Sequence, residues 1–123
     1  MQDILTLNFA VDRTGNEILK ATREWAVAAG LKPSVYTHPI DYHGHVVGTN
    51  IVLWDYIRKG VPGMGDVAMH ANTAYSVELN MRVSAPEWDN KEIRIVLEEN
   101  GYFDGKKHTY IGGRQTEFHL IGQ

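Results

Sequence analysis

The chain has no cysteine. Disulfide staples, thiol nucleophiles and cysteine-ligated zinc are therefore excluded, and the core alone must hold the fold. A long apolar run is missing too, since nothing approaches the ~20 residues of a membrane-spanning helix. Neither sign of charge dominates. Lys and Arg number 12 against 15 Asp and Glu, a formal net charge of −3. The basic face that marks a duplex-binding domain is absent, so nucleic acid is not expected as a main partner. The opening MQDILTLNFAVD has neither the basic nor the long apolar region of a signal peptide. A soluble, intracellular protein is expected, with no membrane partner.

What is present is an ordinary globular composition. The 123 residues are 43% hydrophobic and 22% charged, which suits one domain spanning 1–123. ILTLNFAV (4–11) alternates apolar and polar residues and reads as a strand. Thr14 and Glu17 stand at capping-box spacing, and Ile18, Thr22, Trp25 and Ala29 recur at helical spacing up to Gly30. A helix over 14–29 follows, with Trp25 buried beside Ile18, so that Trp25→Ala is expected to cost about 3–5 kcal/mol.

KPSVYTHPI holds a short extended piece that Pro39 should end or confine to an edge. NIVLWDYI (50–57) is read as a strand from its β-branched and aromatic content. KGVPGMGD has too much glycine for regular structure and reads as a loop. AYSVELNMRVS (74–84) has the cleanest alternation, with Tyr75, Val77, Leu79, Met81 and Val83 facing in. Asp89 with Glu92 suggests a cap for a helix over 90–99, whose stripe is Ile93, Val96 and Leu97. HTYIGGRQTEFHLI reads as a hairpin over 107–121 that turns at Gly112-Gly113. The expected class is α+β: a mostly antiparallel sheet with two helices packed on one face.

Candidate chemistry centres on THPIDYHGHVVG, which places His38, His43 and His45 close together. On a strand, His43 and His45 would share a face, and Asp41 lies within reach, which makes a catalytic zinc site conceivable. Yet H-x-H alone is weak, and no helical His pair with an intervening acid occurs. No metal and no cofactor is therefore expected, with His38, His43 and His45 as the alternative metal set. GVPGMGD does not match a phosphate-binding loop. Glu98-Glu99 reads as a solvated helix face, and His108 with His119 as a cross-strand pair in the final hairpin. No catalytic constellation emerges, and no enzyme is expected.

From about Gly65 to Ile121 the order of pieces carries a resemblance. A loop ends in GMGD, the strand AYSVELNMRV follows, then the Trp-containing break APEW, a helix closing on LEENGYF, and a final strand pair ending in TEFHLI. This resembles tail-terminator (tail-completion) proteins of long-tailed bacteriophages, or a related head–tail joining protein. The likeness departs at the start, where such proteins commonly begin with the helix and a strand is read here at 4–11. The resemblance implies a structural virion protein that assembles as a homo-oligomeric ring and meets other tail or neck proteins. It would reside in the virion, and in the host cytoplasm during assembly. Asp41, His43 and His45 in one loop, with Met64 and Asp66 in the other, are the assembly-loop candidates. Two other classes remain open: a metal-binding or metal-dependent hydrolytic protein using the histidines, and a small regulatory or immunity-type module that binds one protein.

Overall fold

The computed structural model describes residues 1–53, 61–117 and 119–122. Among these residues two α-helices, α1 (Gln2–Thr6) and α2 (Gly15–Ala28), lie against a six-stranded antiparallel sheet. Its strands are β1 (Lys32–Asp41), β2 (Gly44–His45), β3 (Ile51–Val52), β4 (Thr73–Ala85), β5 (Lys91–Phe103) and β6 (His108–Tyr110). The lateral order is β2-β1-β4-β5-β6, with β3 also paired to β1. This is the α+β class that the patterning implies.

The spine of the sheet is the β4–β5 hairpin, whose ladder runs unbroken from Thr73↔Phe103 to Ala85↔Lys91. Tyr75, Val77 and Leu79 of β4 are buried on the inner face with Leu5, Ile18, Leu19 and Ile51. Period-two spacing produces that face, as the sequence predicts. At the β4 start the core becomes aromatic. Phe9 packs on Tyr75 (ring centroids 5.3 Å) and edge-on to Phe103 (5.8 Å), an arrangement aromatic quadrupoles favour.

Helix α2 begins at the expected capping box. Thr14 accepts from the Glu17 backbone N–H, and the Glu17 carboxylate accepts from the Thr14 N–H. Its buried stripe is Ile18, Leu19, Thr22 and Ala26. Trp25 is one position off that stripe and 52% exposed, so its expected burial is corrected. Four small or apolar residues at i, i+1, i+4 and i+8 already cover the sheet, and the indole would extend beyond it.

The expected strand over 4–11 is also corrected. Leu5 and Phe9 are buried, but Leu7 is 73% exposed and Val11 is exposed with it. Leu5 and Phe9 are four residues apart, a spacing that fits a helical turn as well as an alternating strand. The helical form is realised as α1, and the Asn8 side chain donates back to the Ile4 carbonyl at 2.8 Å.

The second expected helix, 90–99, is strand β5. Ile93, Ile95 and Leu97 also recur at period two, and β-branched side chains prefer the pleated form. Asp89 and Glu92 therefore start no helix, and Asp89 instead ends the Pro86–Trp88 3₁₀ turn, with Asn90 after it. Asp89 and Asn90 both have positive φ (52° and 59°), and this left-handed pair turns the chain back onto β4.

The final hairpin turns earlier than expected. Asp104 accepts from the backbone N–H groups of Lys106 and Lys107, both at 2.7 Å, and closes β5 onto β6. Gly112 and Gly113 (φ 84° and 88°) lead the chain off the sheet instead of joining two strands. His119 therefore lies in no strand, and its expected pairing with His108 does not occur.

β1 is longer and more central than expected, because Pro39 neither ends it nor lies on a bare edge. The Pro39 carbonyl accepts from Val46 N–H on the β2 side. In an extended strand the N–H and C=O of one residue point the same way, so the missing donor faces away from β4. Of the expected strand 50–57, Ile51 and Val52 are strand and buried, and 54–57 lie outside the described residues.

Phe103→Ala is expected to cost about 3–5 kcal/mol, whereas Trp25→Ala should cost less than ~1 kcal/mol. Urea denaturation of the two variants checks the pair. Comparable losses would return Trp25 to the core.

Candidate functional site

The histidine segment forms the β1–β2 hairpin. Asp41 pairs with Gly44 and Ile40 with His45, so Tyr42 and His43 form its tip. The Asp41 carboxylate accepts from His43 N–H at 2.8 Å, which pins this turn. Tyr36, His38, Ile40 and His45 then share the outer face of the sheet, opposite α2. Their proximity comes from strand parity and register together.

On that face His38 and His45 stack, ring centroids 3.8 Å apart and planes 17° from parallel. The Tyr36 hydroxyl lies 3.1 Å from His45 Nε2. His38 Nδ1 lies 3.1 Å from the Pro39 carbonyl, and since a carbonyl only accepts, Nδ1 carries the proton. His38 is buried beneath this cluster, whereas His43 is exposed at the tip with its ring edge-on to Tyr42.

The structure thus brings two of the three histidines together and leaves the third apart. Imidazole lone pairs lie in the ring plane, so nearly parallel stacked rings do not converge on one ion at the ~2 Å a zinc–nitrogen bond requires. Among the described residues no group of three His, Asp or Glu is placed to hold a metal. What this arrangement does is lock the hairpin onto β1 through ring contacts.

The second candidate loop is tied down at both ends. Met64 to Asp66 form one 3₁₀ turn. Asp66 accepts from Gly63 N–H at 3.0 Å and from the Asn16 side chain at 2.9 Å, fastening the turn to the α2 N-terminus. The Met64 carbonyl accepts from Asn50 N–H at 3.1 Å. Asp41, His43 and His45 therefore lie at one place in the fold and Met64 and Asp66 at another.

Sequence reasoning missed a third region, beyond β6. Because β5 is a strand, Glu98 and Glu99 face opposite ways. Glu98 accepts from the Ser76 hydroxyl at 2.9 Å on the outer face. Glu99 gathers contacts on the inner face, accepting from the Gln2 side chain and from Gln115 N–H, both at 2.6 Å. Arg114 pairs with Asp3 at 2.6 Å and lies over the Tyr110 ring. Together these hold residues 114–117 beside β5, and a groove of about 450 Å³ opens between Ile95–Glu99 and Gln115–Glu117. The signal for this was Glu98-Glu99 itself, which a strand reading would have split between two environments.

His108 sits next to this region with its ring edge-on to Phe9 (5.5 Å) and to Tyr110 (4.7 Å). Its Nε2 is buried and has no hydrogen-bond partner among the described residues. Gly101 makes the room, because a Cβ there would stand 1.8 Å from Nε2. Burial pushes the His108 imidazole below its ordinary range, since desolvation disfavours the charged form.

Comparison with protein families, with curated proteins and with solved structures gives no match to this chain.

Two outcomes follow from this geometry. A histidine with a lowered folded pKa contributes stability above its unfolded value, and that contribution is lost as pH falls below about 6.5. The urea midpoint should fall between about pH 7 and about pH 5, and His108→Phe should flatten that limb. An unchanged limb in the variant would place the acid sensitivity elsewhere. Titration with zinc should give no stoichiometric binding, and a one-to-one complex lost in His43→Ala with His45→Ala would restore the metal alternative.

Proposed function

We propose that this protein is a self-assembling structural subunit of the tail-terminator or head–tail joining kind, built to sit in a ring and meet other tail or neck proteins. The observation that carries this reading is where the uncovered aromatic and apolar side chains lie. Tyr42 and Val47 are exposed beyond the β1–β2 hairpin. At the opposite end of the strands, where β1 begins and β4 finishes, Trp88 is 61% exposed, and Trp25 and Val27 stand out on α2. Large apolar groups that meet water at two opposite ends favour burial against different surfaces of neighbours. A head-to-tail contact of that kind closes into a ring when its rotation closes.

Such a role works through buried area and needs neither a cofactor nor a catalytic group. The hairpin with Asp41, His43 and His45 lies at the first end and belongs to the contact surface. The Met64–Asp66 turn, tied to Asn16, shapes the scaffold behind it. Localisation to the virion, after assembly in the host cytoplasm, follows from the role.

Light scattering with native mass spectrometry tests the reading. The expected result is a discrete multiple of 13.9 kDa, shifted toward the monomer in Trp25→Glu and Trp88→Glu. A protein that stays monomeric at every concentration would overturn it.

A further inference from the structure

The β5 edge and the C-terminal segment are each incomplete in a complementary way. On its outer edge β5 is covered by β6 only at Gly101, Tyr102 and Phe103, and Ile111 N–H adds one bond to the Asn100 carbonyl. From Lys91 to Glu99 no backbone bond is made on that side among the described residues. The ladder with β4 has no bulge, so residues of the same parity as Asn100 aim their N–H and C=O outward. Those of Glu92 and Arg94 therefore face an open edge, while those of Val96 and Glu98 face the groove beside Gln115–Glu117. A long unprotected edge is a template for another strand.

The chain also carries a strand-like segment that pairs with no strand among the described residues. Gln115 to Glu117 and His119 to Ile121 lie in no strand, and Leu120 and Ile121 are 83% and 95% exposed. Gly112 and Gly113, both left-handed, turn this segment off its own edge. The Arg114–Asp3 pair and the Gln115–Glu99 bond then hold its base over the inner face.

Charge identifies the match. Arg94 bonds only to the neutral Asn80 side chain at 3.1 Å and has no ion-pair partner among the described residues. The Glu117 carboxylate is likewise exposed and unpaired. In the register of the existing ladder, where Gly101 faces Tyr110, an added antiparallel strand sets Glu117 opposite Arg94. The same register sets Thr116 opposite Ile95 and His119 opposite Glu92. Opposite charges facing across a ladder favour a register, and like charges oppose it.

We infer that residues 116–120 of one copy add as an antiparallel strand to the Lys91–Ile95 edge of β5 in a neighbouring copy. Backbone bonds supply the affinity and the Glu117–Arg94 pair sets the register, as in other cases of strand addition. Donor and acceptor are different surfaces, so the contact runs head to tail. The inference deepens the self-assembly reading and rests on it.

Cross-linking tests the contact, because any introduced thiol is unique in a chain without cysteine. Arg94→Cys and Glu117→Cys proteins are made separately, mixed and oxidised with glutathione. Disulfide-linked heterodimers should exceed either homodimer several-fold, while a Ser84→Cys partner should give none with Glu117→Cys. No excess of the heterodimer would overturn the inference. So would a doubly substituted chain that closes only within itself while the mixed single variants stay unlinked. Light scattering on the unmodified protein separates the two levels: an oligomer without this cross-link removes the contact alone, and a monomer without it removes the assembly as well.

Discussion

Everything in this molecule is placed by the ladder between β4 and β5. Its thirteen-residue strands pair without interruption, and one such ladder fixes which side chain faces which way along its full length. Tyr75, Val77 and Leu79 are thereby committed to the face that α1 and α2 cover. Gly101 and Phe103 meet Phe9, Tyr75 and His108 at one end. β1 then reads its register from the other side of β4, and through β1 the histidine hairpin is positioned. A slip of one residue in the central ladder would invert all of these assignments together.

The two faces are stabilised by different physics. The inner face is apolar and aromatic, and is held by area removed from water. The outer face carries, besides the buried Val52, a set of polar contacts among the described residues. Lys32 and Arg82 both bond Glu92, at 2.7 and 3.0 Å, and hold its carboxyl below the usual range. These partners are exposed, so their net contribution is small. Their value is positional, because they tie β1, β4 and β5 across three strands. Beside them the Tyr36–His38–His45 cluster closes the hairpin. What looked in the sequence like a ligand set is, in place, a stack of rings.

The sequence was legible where two signals agreed. Thr14 and Glu17 marked the start of α2, and the stripe after them confirmed the period. The alternation of 74–84 had no competing helical reading. It failed where one set of residues satisfied both periods. Leu5 and Phe9 fit a strand and a turn of helix alike, and Ile93 and Leu97 do so as well. Sheet formation decided the second case, because β4 offered β5 a long partner, and local patterning does not register a partner distant in sequence. Trp25 is misleading for another reason: its hydrophobicity suggests burial, although the stripe of Ile18, Leu19, Thr22 and Ala26 already fills the face. The stacked histidines and the contacts of Glu99 were not legible at all, since both depend on register between segments.

The short connection between β4 and β5 also bears on how the chain acquires its structure. Ala85 and Lys91 are joined through the Pro86–Trp88 turn and the left-handed Asp89-Asn90 pair. Bringing these ends together restricts few residues, whereas pairing Pro39 with Tyr75 must close everything between them. Loop-closure entropy rises with the length enclosed, and contacts near in sequence form at lower entropic cost. The β4–β5 ladder therefore closes at a low entropic cost, whereas β1 can join it only by closing a long loop.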